Sequence, residues 1–138
     1  MSVASPLTVA GAFERATRWF GDREAVVDSA TRLTYRVLEE QSRRAGHMLI
    51  QLGVRPGEPV AILAVPSTIY IAVWLGTVRI GAIPIALHVR ESAAALAGAC
   101  EQLRPVTLAY DASLEPAAEE VTEPKEEETK NEPAKKRK

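Results

Sequence analysis

The amino-acid sequence predicts an α/β fold in which helices cover both faces of a partial parallel sheet. Three apolar runs of strand length, at residues 60–65, 83–87 and 106–110, lack the alternation of half-exposed strands. Continuous apolar runs of this kind are typical of strands that are covered on both faces. Segments with helical character, residues 67–79 and 92–103, separate the three runs. Short strand–helix–strand connections indicate that the strands are parallel.

An amphipathic helix is predicted over residues 6–20, before the first strand. Thr8 is a suitable N-cap, and Gly21 follows the last turn. Helical spacing of the large apolar residues predicts one buried face. That face consists of Val9, Ala12, Phe13, Ala16 and Phe20.

A hairpin and a long helix are predicted next. Residues 25–28 and 32–35 are extended pieces around a polar turn, and Thr34 caps the helix that Gly53 ends. The single polar member of the apolar stripe, Gln41, should lie at its edge. The predicted stripe is Leu38, Gln41, Ala45, Met48, Leu49 and Leu52.

Residues 60–78 carry no charge over 19 positions, which is long enough to resemble a membrane span. Pro66 and Ser67 interrupt the run as a break followed by a helix N-cap, and Gly81 and Pro84 follow soon after it. A buried strand, a turn and a buried helix therefore explain the run, and no membrane span is expected.

Composition divides the chain near Leu114. Residues 1–114 carry eleven Arg and no Lys, whereas residues 115–138 carry five Lys, one Arg and eight Glu. The second segment has one large apolar residue, Val121, and its burial cannot offset about 1–2 kcal/mol of backbone entropy per ordered residue. We therefore predict an α/β domain at residues 1–114 and a disordered charged tail at residues 115–138.

The chain has a single cysteine, Cys100, so no internal disulfide can form. Its alanine-rich helical surroundings predict a small buried filler, not a reactive thiol. The opening residues MSVASPLTV have neither the positive flank nor the apolar run of a secretory signal, which predicts a cytoplasmic protein.

Four segments, in this order and spacing, resemble the N-terminal part of the adenylate-forming (AMP-binding) family, which includes acyl-CoA synthetases, luciferases and peptide-synthetase adenylation domains. The resemblance covers about residues 6 to 121 and implies the N-terminal subdomain of that fold. The segments are Thr34-Tyr35-x-x-Leu38, Leu52-Gly53-Val54-x-Pro56-Gly57-x-x-Val60-Ala61-Ile62, Trp74-Leu75-Gly76-x-x-x-x-Gly81-Ala82-x-Pro84 and Pro105-Val106-Thr107-Leu108-Ala109-Tyr110-Asp111.

The resemblance implies a two-step reaction in which a carboxylate attacks the α-phosphate of ATP and a thiol, commonly that of coenzyme A, takes the acyl group. Such chemistry needs a Ser/Thr/Gly-rich loop ending in Lys to hold phosphates, and carboxylates for Mg²⁺ and ribose. Residues 1–114 contain no such loop and no Lys. We therefore assign no catalytic, cofactor-binding or metal residue, and expect no cofactor for this chain alone.

The sequence departs from the family pattern close to functional positions. Residues 65–67 read Val-Pro-Ser where the family often has Pro-Asn-Ser, and residues 86–89 read Ala-Leu-His-Val where it often has Pro-Leu-Asn-Pro. Val37 stands where a Glu commonly closes a capping box with the helix-capping Thr. These changes indicate relaxed requirements.

Three polar residues are candidates for a functional site. His88 follows a strand at its carboxyl end, where open α/β sheets place ligand crevices, but a partly solvated loop histidine is the simpler interpretation. Asp111 ends another strand, and a turn-initiating Asp is the commoner case. His47 lies on the flank of a helical stripe and is expected at the surface.

The chain ends in the basic cluster Lys135-Lys136-Arg137-Lys138, which follows an acidic run. Short basic clusters occur in nuclear-import signals and nucleic-acid-binding tails. Charge segregation instead favours a solubility tail or a fusion product without function, and nucleic acid is not an expected partner.

The leading functional hypothesis is a truncated or remnant fatty-acid or other acyl-CoA ligase-like protein that is inactive alone. The alternative is a non-catalytic binding subunit that completes or regulates a larger adenylating protein. Open sheet edges would supply its contacts, or those of self-association.

Overall fold

The computed structural model describes residues 7–122 of the 138-residue chain. The helices are α1 (Val9–Phe20), α2 (Tyr35–Gln51), α3 (Thr68–Arg79), α4 (Ala93–Leu103) and α5 (Glu115–Thr122), with a short 3₁₀ helix at Ala112–Leu114. The strands are β1 (Glu24–Val27), β2 (Arg32–Thr34), β3 (Pro59–Leu63), β4 (Ile83–Leu87) and β5 (Thr107–Tyr110).

The main sheet has three parallel strands in the order β4-β3-β5, and β1 and β2 form a separate antiparallel hairpin. Strand β3 is central, and Val60 and Leu63 within it are completely buried. Ala61 and Leu63 pack under α4 and α5, whereas Val60 packs with Leu49 of α2. The predicted α/β fold, with helices on both faces of a partial parallel sheet, is confirmed.

Side-chain caps begin the helices where the sequence predicted them. The hydroxyls of Thr8, Thr34 and Ser67 accept hydrogen bonds from backbone N–H groups three residues on, at 3.1–3.3 Å. Each cap satisfies one of the free donors at a helix N-terminus, which is worth about 1 kcal/mol. Ser67 thereby divides the long uncharged run into β3 and α3.

The predicted helix stripes are partly wrong. Val9, Ala12 and Phe20 are exposed on α1, and Met48 and Leu52 are exposed on or just after α2. Several small residues are buried in their place. The buried residues are Gly11 and Thr17 on α1, and Leu38, Ser42, Ala45, Gly46 and Leu49 on α2.

Helices α2 and α3 cross with their backbones in close contact at Gly46 and Gly76. A Cβ atom added to Gly76 would lie 2.7 Å from the Gly46 nitrogen, 2.7 Å from the Ser42 carbonyl oxygen and 2.8 Å from the Ala45 Cβ. Ser42 and Thr77 are completely buried, and their hydroxyls donate to carbonyl oxygens of their own helices. This contact explains why α2 buries Ser42 and Gly46 and leaves Met48 outside.

One largely buried arginine joins the three helices on this face. The Nη2 atom of Arg79, at the end of α3, lies 3.4 Å from Glu14 of α1 and 3.4 Å from Glu39 of α2. Its side chain is only 13% exposed, and Nη1 is buried without a hydrogen bond. Removing either carboxylate would leave a buried charge less compensated, so the pairs fix how the helices meet.

Tight turns close the amino ends of the parallel strands. Gly57 and Gly81 both have φ near +80°, and the Gly57 N–H donates to the Gly81 carbonyl at 2.7 Å. The Ile83 N–H then donates to the Glu58 carbonyl at 2.9 Å. Glycine adopts this left-handed backbone without a Cβ clash, so both turns stay short.

The predicted disordered tail is wrong for its first eight residues, because Glu115–Thr122 forms α5. Ala118 is 2% exposed and packs with Leu63, Leu87 and Leu96, and Val121 lies beside this cluster. The prediction rested on the average composition of residues 115–138, which does not reveal that the small apolar residues of α5 have helical spacing. Residues 123–138, including the basic cluster at residues 135–138, lie outside the described part of the chain, and the two-segment division stays a prediction.

We expect Gly76→Ala to lower the free energy of unfolding by about 2 kcal/mol, because its Cβ would overlap backbone atoms of α2. Gly98→Ala is the matched control, since Gly98 is an exposed helical glycine with no atom within 4 Å of an added Cβ. That control should gain up to about 1 kcal/mol from helix propensity. Urea unfolding of both variants measures the difference, and equal stabilities would contradict the close helix contact.

Candidate functional site

A shallow crevice of about 200 Å³ opens beside the carboxyl ends of β3 and β4. The loops after two neighbouring parallel strands form its walls, which is where open α/β sheets bind ligands. Its lining is mostly apolar. The lining residues are Ala64, Pro66, Tyr70, Ala86, Leu87, His88 and Val89.

His88 lies in the wall of this crevice and is exposed to solvent. Its Nδ1 atom accepts a hydrogen bond from the Arg90 backbone N–H at 3.2 Å, which fixes the start of the loop before α4. The histidine thus has the structural role of a loop residue, as the sequence predicted. His47 is exposed on α2, also as predicted.

Asp111 joins the carboxyl ends of β5 and β3. Its Oδ2 atom accepts a hydrogen bond from the Val65 N–H at 2.7 Å, and its own N–H donates to the Leu63 carbonyl at 3.2 Å. It also starts the turn into the 3₁₀ helix, because the Leu114 N–H donates to its carbonyl at 2.7 Å. The predicted turn-initiating role is confirmed, and the carboxylate in addition holds the β3–α3 loop that borders the crevice.

Asp28 also holds the segment between β3 and α3, but from the side of the β1–β2 hairpin. The sequence did not predict this role. The Oδ2 atom of Asp28 accepts from the Thr68 N–H at 3.0 Å, at the first residue of α3. Its Oδ1 atom accepts from the N–H groups of Ala30 and Thr31 at 2.9 and 2.7 Å. These bonds to Thr68, Ala30 and Thr31 stabilise the charged form and lower the pKa of Asp28 to about 2.

Asp28 therefore ties the β1–β2 hairpin to the N-terminus of α3, where a negative charge is favourable. The sequence does carry a signal for the local part of this arrangement, because Asp-Ser-Ala-Thr is a suitable Asx turn. The bond to Thr68 spans 40 residues and has no signal in the local sequence.

The remaining candidates lie away from the crevice. Cys100 is half-buried beside the cluster under α4, and burial raises the pKa of its thiol. Within residues 7–122, no group of three or more His, Cys, Asp or Glu side chains is placed to hold a metal ion. None of the helices in this range has the length and apolar character needed to span a membrane. The cytoplasmic location stays a prediction.

The lining of the crevice is not suited to bind the phosphates of a nucleoside triphosphate. Its lining contains no Lys or Arg, and its polar side chains are those of Tyr70 and His88. Phosphate oxygens need converging backbone N–H groups and a cation, as in a phosphate-binding loop. The nearby Val65 and Thr68 N–H groups already donate to Asp111 and Asp28.

The three parallel strands with helices on both faces define the chain as part of an open-sheet α/β protein. The family model for the AMP-binding enzyme matches residues 13–138. The chain therefore belongs to the AMP-binding, or adenylate-forming, family, whose chemistry uses ATP and Mg²⁺. This finding confirms the resemblance that the four segments indicated.

Two curated relatives illustrate the match. Cyclo-acetoacetyl-L-tryptophan synthase of Aspergillus oryzae is 37% identical over 89 residues, which are 64% of this chain and 2% of the relative. The 3-hydroxybenzoate–CoA/4-hydroxybenzoate–CoA ligase of Thauera aromatica is 39% identical over 70 residues, which are 51% of this chain and 13% of the relative. This chain thus spans a small part of the length of the relatives it matches.

Solved structures share the fold. A benzoate CoA ligase from Burkholderia xenovorans superposes with a TM-score of 0.77 at 20% identity over 81% of this chain and 23% of that structure. The N-terminal domain of FACL13 from Mycobacterium tuberculosis gives a TM-score of 0.79 at 19% identity, covering 83% of this chain and 30% of that structure. The match to the FACL13 N-terminal domain shows that this chain has the fold of the N-terminal subdomain of adenylate-forming enzymes.

We expect the stability difference between the native chain and Asp28→Asn to depend on pH. The pKa of Asp28 is about 2 in the folded chain and 3.8 as its ordinary value, so the native chain's advantage is complete above about pH 4 and declines toward pH 2. Urea midpoints between pH 6 and pH 2 measure it. Asp22→Asn, which removes an exposed ion pair with Arg36, is the control and should change the midpoint little. A constant difference across this range would contradict the assignment.

We expect Asp111→Ala to destabilise the chain by about 1–2 kcal/mol, because the Val65 N–H loses a charged acceptor. Glu91→Ala removes an exposed carboxylate from the neighbouring β4–α4 loop and should stay within about 0.5 kcal/mol of the native chain. Hydrogen exchange of the Val65 amide should become faster in Asp111→Ala alone. Unchanged exchange there would show that the carboxylate does not hold the loop.

Proposed function

We propose that residues 7–122 form the scaffold segment of an acyl-CoA ligase-like adenylate-forming protein, and that the 138-residue polypeptide forms no acyl-adenylate by itself. The proposal rests on the mostly apolar lining of the crevice, which lies in a segment, residues 1–114, that contains no lysine. Transfer of an acyl group through an adenylate develops charge on phosphate oxygens, and preorganised donors and cations must stabilise that charge. The fatty-acid preference suggested by the sequence remains a prediction.

The scaffold role is supported by what the two acidic residues beside the β3–α3 loop contact. Asp28 holds the first turn of α3, and Asp111 holds the loop between β3 and α3. Both carboxylates accept hydrogen bonds from backbone N–H groups, and these bonds hold the segment between β3 and α3 in place. Their effect is to fix the two loops against which the rest of an active site would be assembled.

A second candidate is a non-catalytic subunit that completes or regulates a larger adenylating protein. The two outer edges of the three-stranded sheet favour it, because neither pairs with another strand within residues 7–122. A strictly monomeric elution profile together with no recovered adenylating partner would count against this candidate.

We expect the purified 138-residue chain to catalyse no acid-dependent exchange of pyrophosphate into ATP. The assay uses ATP, Mg²⁺ and either benzoate or 3-hydroxybenzoate, with the Burkholderia benzoate CoA ligase as the active control. Calorimetry with ATP alone should likewise detect no binding, since the phosphates have no cationic partner in the crevice. Exchange that requires the acid, or tight ATP binding, would overturn the proposal.

A further inference from the structure

Helix α1 turns toward solvent much of the apolar face that its sequence was expected to bury. The helix packs against α2 and α3, and Gly11 and Thr17 are its buried residues. Trp19, in its last turn, is 77% exposed. Large exposed apolar patches are uncommon on soluble monomers and usually mark a binding surface. The exposed apolar residues in and just before the helix, here called the α1 face, are Leu7, Val9, Ala12, Trp19 and Phe20.

Two aromatic rings and a cation lie at the end of the α1 face. The ring centroids of Trp19 and Phe20 are 6.5 Å apart, and the ring planes are inclined at 70°. The guanidinium carbon of Arg23 lies 5.4 Å from the centroid of the Phe20 ring. Edge-to-face ring pairs and a cation over a ring are both favourable arrangements. The end of α1 therefore presents an apolar surface with a positive charge in direct contact with it.

The charge beside the α1 face is positive and uncompensated. The two carboxylates of this segment are already paired, since Glu14 lies 3.4 Å from an arginine of α3 and Asp22 lies 3.0 Å from Arg36 of α2. Arg18 and Arg23 form no ion pair with a carboxylate of residues 7–122. An anionic surface would therefore attract both guanidinium groups without first breaking an ion pair.

A polar groove between α1 and α2 extends this positive region. Its volume is about 430 Å³, and three arginines, Arg18, Arg36 and Arg43, line it. The two glutamates in its lining both lie 3.4 Å from the largely buried Arg79, which compensates part of their charge from inside the protein. Guanidinium groups bind phosphate oxygens through paired N–H donors. The groove is thus suited to phosphate groups at the border of the α1 face.

An apolar face bordered by arginines fits an anionic lipid surface better than the alternatives. A second copy of the chain in two-fold contact would bring Arg18 and Arg23 toward the same cations of its partner. The chain's own residues 123–138 contain no large apolar residue that could cover Trp19 and Phe20. A phospholipid bilayer offers both a phosphate layer for arginine and an apolar boundary for Trp and Phe.

We infer that α1 lies on the surface of an anionic phospholipid membrane, with Trp19 and Phe20 at the boundary between head groups and acyl chains. Arg18 and Arg23 contact the lipid phosphates. A helix of 12 residues is about 18 Å long, which is too short to span a bilayer, so it lies parallel to the surface. This inference goes beyond the proposed function and does not depend on it, because adenylation is measured without lipid.

The fluorescence of Trp19 tests this contact directly. The chain has two tryptophans, so Trp74→Phe leaves Trp19 as the single emitter. We expect its emission to shift to shorter wavelength with vesicles of phosphatidylcholine and phosphatidylglycerol, and not with phosphatidylcholine alone. In vesicle flotation, the native 138-residue chain should lose about tenfold in affinity between about 0.05 and 0.5 M NaCl, because salt screens the arginines.

We expect Trp19→Ser to weaken flotation with the anionic vesicles about tenfold, because the largest apolar group is lost. Arg18→Gln should weaken it about fivefold, which is the usual contribution of one cation near a charged membrane. Leu52→Ser, at a 67% exposed position at the end of α2, and Arg90→Gln, in the β4–α4 loop, are the matched controls. Each control should change the affinity less than about twofold, since its side chain lies outside the α1 face. All four side chains are exposed, so the substitutions preserve the fold.

Equal binding to vesicles with and without phosphatidylglycerol would overturn the inference, as would equal weakening by a control substitution. Flotation without a shift of Trp19 emission would also overturn it, because the basic cluster at residues 135–138 would then be the contact. Absence of vesicle binding would overturn it too, and dimerisation that Trp19→Ser abolishes would then identify a second copy of the chain as the occupant.

Discussion

The contact between Gly46 and Gly76 sets the position of α2 and α3 relative to each other on their face of the sheet. With no side chain between them, the backbones of α2 and α3 approach until an added Cβ at Gly76 would lie 2.7 Å from two backbone atoms. Helix α3 begins directly after the loop that follows β3, so its placement also fixes Ser67 and Thr68. Asp28 can reach the Thr68 N–H only because α3 starts where this contact puts it.

Charged side chains at both ends of α3 help to build the fold. Asp28 and Asp111 accept hydrogen bonds from backbone N–H groups on the two sides of the β3–α3 loop. At the other end of the helix, Arg79 joins α3 to the glutamates of two other helices. Under the proposed function, the domain forms one wall of a site whose phosphate-binding groups lie outside residues 7–122.

Local chemistry in the sequence predicted the elements from α1 to β5 and their order, but it predicted neither α5 nor which faces the helices bury. Thr34 and Ser67 are caps because their hydroxyls reach N–H groups three residues away, which the sequence alone reveals. By helical spacing alone, Met48 and Leu52 fit the apolar stripe of α2 as well as the buried leucines do. Burial of Ser42 in their place depends on how closely α3 approaches, and the bond of Asp28 to Thr68 depends on the packed fold.

The glycine turns at the amino ends of the strands restrict where this chain can tolerate extra length. The Gly57 N–H meets the Gly81 carbonyl at 2.7 Å, and Gly81 lies against Pro56, so an inserted residue there would pull β3 and β4 apart. Residues 88–92 connect β4 to α4 at the opposite end, beside an open crevice. Relatives of this domain should therefore vary in loop length only at the carboxyl ends of the parallel strands. For the same reason, residues 88–92 are the place to insert a reporter peptide.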